Sequence, residues 1–455
     1  MNDLDAKDDI ARVDRTFRLT VGNGAVVMMG TAFFAAETVL AGLTESLTKS
    51  SLLVGLLITV RNVGWMWPQL FVSHVLETRQ RKMPAYVISA CCRFVALLVM
   101  SAAVLFWCGS PRALYWILLF IVAFISSAGG IAVIPFMDIV AKSIPRKRMP
   151  LLWAHRRLFG GILGFLASLM IACVLSERSG IPYPANYALL FLAAAILCGA
   201  AFLMFVAVQE PIEPVSSFRA PFMVYLRRGP AIFRADHDYR RLYVYRCTWG
   251  LATMSQAVYV PCAVHYFQAP PALTGGWFTS VVLLAGGLSS YVWGRAALRH
   301  GEVATLRLSA GLLLVSPLTA FALTAMCHYG PTAPYAEAYY LPAYLFMYAC
   351  GTAAVTGYII ASQAYLLALP PSEYRPTYLA FINTLTIPLL FAPTLAGFLV
   401  ERISYPATFG LSCVAALASL AVAKRLRSRK EGEYPELDFS PAEEGATSGS
   451  GPIPK

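Results

Sequence analysis

Apolar residues in this chain neither alternate nor recur on one face; they run in long uninterrupted blocks. Tyr187–Val208 holds no charge, and Ala85–Trp107 holds one, Arg93. A block of roughly 20 apolar residues is what a helix needs to cross the hydrocarbon core of a bilayer. Polar and Pro/Gly-rich breaks cut the sequence into twelve such segments, at 19–43, 51–75, 84–107, 113–140, 151–175, 186–208, 242–267, 274–297, 303–327, 338–369, 376–399 and 403–423. Short connections make neighbouring segments antiparallel. The expected fold class is an all-α membrane protein of twelve transmembrane helices.

One connection is long and polar, and it divides the chain in two. The expected organisation is an N-terminal tail at 1–18, a six-helix bundle at 19–208, a connector at 209–241, a second six-helix bundle at 242–426 and a disordered tail at 427–455. Within the connector, SSFRAPFMVYLRRG reads either as a short amphipathic helix on the membrane surface or as an unstructured linker. The tail is acidic, rich in Gly, Pro and Ser, and without periodicity.

Composition agrees with a bilayer location. Residues are 58% hydrophobic and 13% charged, with a mean hydropathy of +0.61, too few charges for the surface of a water-soluble protein this long. The first 18 residues are too polar for a secretory leader, so the first segment is expected to insert uncleaved. The net charge of +12 resides mainly in alternate connections. Lys7, Arg12, Arg15 and Arg18, the cluster from Arg79 to Lys82 and the run from Lys142 to Arg148 fall on one side; Lys49, Arg112, Arg178 and Arg402 fall on the other. Cytoplasmic loops hold the Lys/Arg excess, which places both termini in the cytoplasm, with a bacterial inner membrane as the expected location. Basic residues dispersed over membrane-surface loops do not form a nucleic-acid site. The ten cysteines lack metal spacing, and no nucleotide-binding loop or nucleophile–base set occurs. The chain is therefore expected to be no enzyme and to carry no cofactor or metal.

The two halves echo each other. After the second segment comes Ser73-His-Val-Leu-Glu77-Thr-Arg79-Gln-Arg81-Lys82, and after the eighth comes Gly294-Arg-Ala-Ala-Leu298-Arg299-His-Gly301. A second echo links Ile144-Pro145-Arg-Lys-Arg148 with Leu369-Pro370-Pro-Ser-Glu-Tyr-Arg375. Duplication is a construction rule of secondary transporters. The first pair resembles the loop signature G-x-x-x-D-R-x-G-R-R of the major facilitator superfamily. Arg81 and Lys82 fit its basic pair, Glu77 stands for Asp and Ser73 for the first Gly. In the second copy Gly294, Arg299 and Gly301 fit, and Leu298 replaces the acid. The resemblance implies two six-helix bundles with pseudo-twofold symmetry, alternating access, and a gating role for these loops, with Arg81 pairing an acid such as Asp138. Gly160-Gly161-Ile-Leu-Gly164 in the fifth segment would allow close helix packing but lacks the Gly-Pro signature of many proton-driven exporters of the family.

Polar groups inside the segments are the remaining candidates for chemistry, since each is costly in a bilayer unless paired or wetted. Arg61 lies ten residues into its segment, roughly 15 Å deep, and Glu37 lies six residues, about 9 Å, from the outer end of the adjacent segment. Their long side chains could meet across that difference. Trp249, Gln256 and Tyr259 recur on the seventh segment, and Tyr348, Thr352, Thr356 and Gln363 on the tenth; the resemblance makes both cavity-lining. Arg93 is expected to be structural or to snorkel, Asp138 and Arg246 to sit at a gate or interface, and His265 at the membrane interface. The expected function is alternating-access transport of a small polar or anionic organic solute, possible proton coupling running through Glu37. The alternatives are a ligand-binding sensor or scaffold without turnover, and a multidrug or lipid exporter on the same fold.

Overall fold

The computed structural model of the chain describes residues 3–76, 79–145, 148–212, 230, 232–328, 333–369 and 375–428. The SSFRAPFMVYLRRG segment and the tail from 429 onward lie outside them. Among the described residues the helices form twelve rods. They are α1 (3–48), α2 (Ser51–Leu76), α3 (Met83–Phe106), α4 (Pro111–Ser143), α5 (Met149–Leu175), α6 (Ala185–Val206), α7 (237–267), α8 (272–300), α9 (302–328), α10 (Ala333–Ala368), α11 (375–402) and α12 (Tyr405–Arg425).

Local chemistry sets the rod ends. Proline stands in the first turn of α3, α4, α5 and α12, where its missing N–H has no partner to lose. Between α8 and α9 helical geometry fails only at Gly301, whose φ of 81° is open to a residue without a Cβ. On length and composition, eight stretches among the described residues qualify as membrane spans, and one of them, Ala272–Cys327, is the α8–α9 pair. The other rods are diluted by polar residues, as at Arg61–Asn62 in α2, or broken by a tight turn, as at Met254–Val258 in α7 and Ile387–Phe391 in α11. Large apolar side chains such as Phe120, Leu203 and Leu288 face outward and exposed, as lipid contact requires.

The packing repeats. In the first half α1 packs on α5 and α6, α4 on α2 and α3, and α3 on α6. In the second half α7 packs on α11 and α12, α10 on the α8–α9 pair, and that pair on α12. Across the halves the main contacts are α2 with α11 and α5 with α8, which exchange under the same twofold operation. Side chains repeat too. Trp65 of α2 packs on Gly129 of α4, and Trp293 of α8 packs on Gly357 of α10 while donating from its indole N–H to the Ala353 carbonyl at 2.7 Å.

Candidate functional site

Where the halves face each other, residues of α1, α2, α7, α8, α9 and α10 enclose a cavity of about 380 Å³. Among the described residues its only charged lining residues are Glu37 and Arg61. The Arg61 guanidinium holds the Glu37 carboxylate with both ends of its fork, Nη2 to Oε1 at 2.9 Å and Nη1 to Oε2 at 3.2 Å. Their side chains are 41% and 40% exposed, so the pair is open to the cavity and is not a sealed core ion pair. Arg61 also reaches the Asn62 side-chain oxygen at 3.4 Å.

The sequence reading set Glu37 shallower than Arg61, and this is corrected. α1 continues to Thr48, five residues past the expected end at 43, because Leu43, Thr44 and Glu45 are buried inside the protein and need no apolar run to stay helical. Glu37 is thus eleven residues from the end of α1 and Arg61 ten from the start of α2, both roughly 15 Å deep. The helix is also broken there. Residues 33–35 leave the α-helix and Ala36–Leu40 form a π-turn, which turns Glu37 out of the α-helical stripe. The repeat-related α7 breaks too, at Met254–Val258, where Gln256 sits.

The cavity gathers Gln256, Tyr259, Tyr348, Thr352 and Thr356 with the ion pair. Tyr259 shares hydrogen bonds with Ser255 at 3.2 Å and Ser316 at 2.9 Å. The buried Tyr348 hydroxyl has no hydrogen-bond partner among the described residues. Two expected members are elsewhere. Trp249 is 4% exposed and stacks on Tyr358, ring centroids 4.4 Å apart, because its position on α7 points into the second bundle's core. Gln363 is exposed, beyond the terminal end of the cavity wall on α10.

At the end of the molecule away from α1's start and α12's finish, the halves are closed on each other. Hydroxyl groups bridge them: Thr38 to Thr279 at 2.6 Å, Thr59 to Thr394 at 2.8 Å, Ser51 to Tyr405 at 2.9 Å and Ser168 to Ser280 at 2.5 Å. The Glu401 carboxylate accepts from the Leu52 N–H at 3.0 Å and from the Ser50 hydroxyl, across the same boundary. Glu45 is buried beside this cluster, one carboxylate oxygen without a hydrogen-bond partner among the described residues. His265, expected at the interface, stacks on Tyr405 with centroids 5.5 Å apart. α2 and α11 cross with backbones in contact, since a methyl on Gly397 would stand 2.6 Å from the Leu52 Cα and one on Gly55 2.8 Å from the Pro393 carbonyl carbon. Nearer the other end, Arg157 donates to Ser290 at 3.2 Å.

The loop residues divide. Asp138 is held by Lys82 at 2.7 Å and Lys142 at 2.6 Å. The expected partner, Arg81, is exposed, because it precedes the helix start that aims Lys82 inward. Glu77 lies outside the described residues; Ser73 is in α2, and Gly294 is in α8 with open space where a Cβ would go. Arg299 is exposed. Arg246 reaches Asn383 on α11 at 3.4 Å. Gly160 meets Met28 of α1, and Gly164 meets Leu283 of α8, the close packing expected of that motif.

Two residues escaped the sequence reading, Glu210 and Arg156, and a third, Arg93, was named without its chamber. Glu210 accepts from the N–H groups of Lys82 at 2.8 Å and Met83 at 2.9 Å, capping α3 from across the bundle. Arg156, a charge inside the fifth segment, enters the bundle and donates to the Thr20 carbonyl at 2.8 Å and Asn23 at 3.1 Å. Arg93, expected to be structural or to snorkel, lines a second chamber beside the first. Only a buried Asn or Arg with a named partner would have marked these positions, and the partners are far away in sequence.

A family model described as Major Facilitator Superfamily matches residues 23–386 and, overlapping, 246–448. No curated protein matches the chain. Among solved structures, a bacterial homologue of the iron transporter ferroportin in an inward-facing state aligns at TM-score 0.67 and 13% identity, covering 91% of this chain and 99% of that one. An auto-inhibited POT family peptide transporter aligns at 0.65 and 11%, covering 93% and 99%. A D-xylose–proton symporter aligns at 0.62 and 13%, covering 92% and 98%. At these identities the likeness is one of fold.

Proposed function

The chain belongs to the Major Facilitator Superfamily, and from that premise we propose that it moves a small anionic organic solute across the membrane by alternating access, coupled to protons through Glu37. Membership makes it an integral membrane transporter; the solute and the coupling are our reading. With both termini in the cytoplasm, the closed end is the outer face and the cavity belongs to the inward-open state.

One observation carries the reading: the bidentate Glu37–Arg61 pair on the wall of a cavity between the two halves, at mid-depth and open to it. A guanidinium is always charged, so Arg61 brings a permanent cation into a low-dielectric interior and must have an anion. When Glu37 is ionised it supplies that anion. When Glu37 takes a proton the fork is released, and a solute carboxylate or phosphate can occupy it with the same two parallel hydrogen bonds. Proton and solute then load together. About 380 Å³ is within the usual range of small-ligand sites, and Tyr348, Gln256 and the Thr352–Thr356 stripe supply neutral hydrogen-bonding groups for the rest of the molecule. The solved neighbours include a D-xylose–proton symporter and a POT family transporter holding 5-aminolevulinic acid, so this architecture accommodates small polar solutes and proton coupling.

The test is uptake by proteoliposomes of a panel of radiolabelled mono- and dicarboxylates, sugar phosphates and neutral analogues, with and without an imposed pH gradient. Arg61→Leu should abolish uptake of every acid accepted by the wild type, and Arg61→Lys should keep only part of it because the fork is lost. Normal acid uptake by Arg61→Leu, or uptake of neutral analogues alone, would sink the proposal.

A further inference from the structure

The second chamber, about 440 Å³, lies within the first bundle among α1, α2, α3 and α4, with Leu390 of α11 at its rim. It meets the central cavity at Thr31, Ala35 and Arg61, which line both. Among the described residues that line it are two arginines, Arg61 and Arg93, and no carboxylate. Arg61 is neutralised by Glu37. Arg93 is not: among the described residues it pairs with no acid and makes no hydrogen bond, its Nε is buried without a partner, and its neighbours are neutral, the Phe202 ring 4.9 Å from the guanidinium carbon to the centroid, Tyr86 and Cys198. A ring face attracts a cation but does not satisfy its N–H groups.

The chamber therefore holds one uncompensated positive charge in the interior of a membrane protein, an arrangement that is costly unless an anion joins it. Its other walls are mostly apolar and aromatic: Phe34, Trp65, Met66, Val122 and Ile125, with Asn62 and Ser126 as polar points. Trp65 and Arg93 stand together, since their side chains lie 2.6 Å and 3.7 Å from the point a Gly129 Cβ would occupy. A glycine there is what leaves room for both.

We propose that this chamber is an anion-binding subsite, in which Arg93 holds the acid group of an organic anion whose apolar or aromatic body lies against Trp65 and Phe34. This rests on the transport reading for the claim that the anion is a solute on its way through, and it narrows the substrate class to acids with an apolar body. The same acid chemistry could come from the headgroup of an anionic lipid, and the experiment separates the two.

The full-length protein, purified in neutral detergent, is titrated with benzoate, decanoate, benzamide and inorganic phosphate, and its thermal unfolding is followed. A ligand of the folded state raises the apparent midpoint in proportion to its occupancy. Benzoate and decanoate should stabilise the wild type, and benzamide should not. Arg93→Gln should weaken the apparent affinity for both acids at least tenfold, and Arg93→Lys severalfold. The lysine variant keeps the charge and serves where the glutamine variant does not fold. In nanodiscs, an Arg93-dependent stabilisation by phosphatidylglycerol over phosphatidylcholine, with no response to the soluble acids, would assign the acid group to a lipid and overturn the solute assignment. Equal responses of wild type and Arg93→Gln to every acid and lipid would overturn the subsite itself. That failure is distinct from failure of the transport reading, which Arg61→Leu tests in liposomes with Arg93 intact.

Discussion

Replacing Glu37 by Gln removes one charge at nearly constant volume and leaves Arg61 without its counter-ion. The gross attraction in the pair is roughly 4 kcal/mol at 4 Å and an effective dielectric of about 20. Both side chains are about two-fifths exposed to the cavity, so water returns most of that, and a half-open pair nets about 1 kcal/mol. An acid group that takes the Arg61 fork has to displace Glu37 first. Without Glu37 that cost is gone, and a solute acid should bind about fivefold tighter, since 1.4 kcal/mol is tenfold. The proton partner is lost at the same time. Glu37→Gln should therefore catalyse solute–solute exchange across proteoliposomes loaded on both sides, with the higher affinity, yet fail to accumulate solute when a pH gradient is imposed. The assay uses whichever acid the wild type takes up, measured as counterflow and as net uptake on the same preparation. Accumulation driven by the pH gradient in Glu37→Gln, or a weakened affinity, would refute the displacement mechanism and leave the pair as a device for positioning α1 against α2.

Other outcomes follow from the same geometry. Gly397→Val puts side-chain atoms where the Ser51–Leu52 backbone lies and should hold the closed end apart, so, with that end outward as proposed, a cysteine placed at Ser51 should become reactive toward an impermeant thiol reagent in a background cleared of native cysteines; unchanged labelling with normal transport would contradict the closed-end assignment. Asp138→Asn leaves Lys82 and Lys142 facing each other without their shared acid and should cost about 1 kcal/mol, a fall of about 1 °C in unfolding midpoint for a chain this long, whereas Arg81→Gln should not move it. Trp249→Leu removes a buried ring stacked on Tyr358 and should lower thermal stability by about 1–3 kcal/mol while leaving solute affinity near wild type; Gln256→Ala, on the cavity wall, should do the reverse.

How much of this was legible in the sequence depends on whether the signal was local. The rods follow from apolar blocks, and the duplication from the Ser73–Lys82 and Gly294–Gly301 echoes, because both are continuous stretches of chain. Arg61 and Glu37 were visible because a charge in an apolar block is anomalous wherever its partner is. Their equal depth was not visible: the end of α1 is buried among other helices, so polar Thr44 and Glu45 continue it where hydropathy alone would stop. Trp249 and Gln363 share residue type and spacing with the true cavity stripe, and only the rotation of α7 and the length of α10 separate them from it. Arg93 looked like any arginine of a peripheral helix, since nothing near it in sequence reports the chamber that α1, α2 and α4 leave in front of it. Lys82, in place of Arg81, takes Asp138 because Lys82 is the capping residue of α3 while Arg81 lies one position further out and is exposed.

The layer that closes the end away from the termini is built mainly from pairs of neutral hydroxyls, Thr38 with Thr279, Thr59 with Thr394, Ser51 with Tyr405 and Ser168 with Ser280. Each such bond is worth only about 0.5–1.5 kcal/mol net, because water can take over either partner once the halves part. A latch of ion pairs at the same places would leave desolvated charges behind and would trap the molecule in one state. Hydroxyl pairs keep the inward- and outward-open forms close in free energy, so the occupancy of the cavity by a single ion or solute is enough to decide which way the molecule faces.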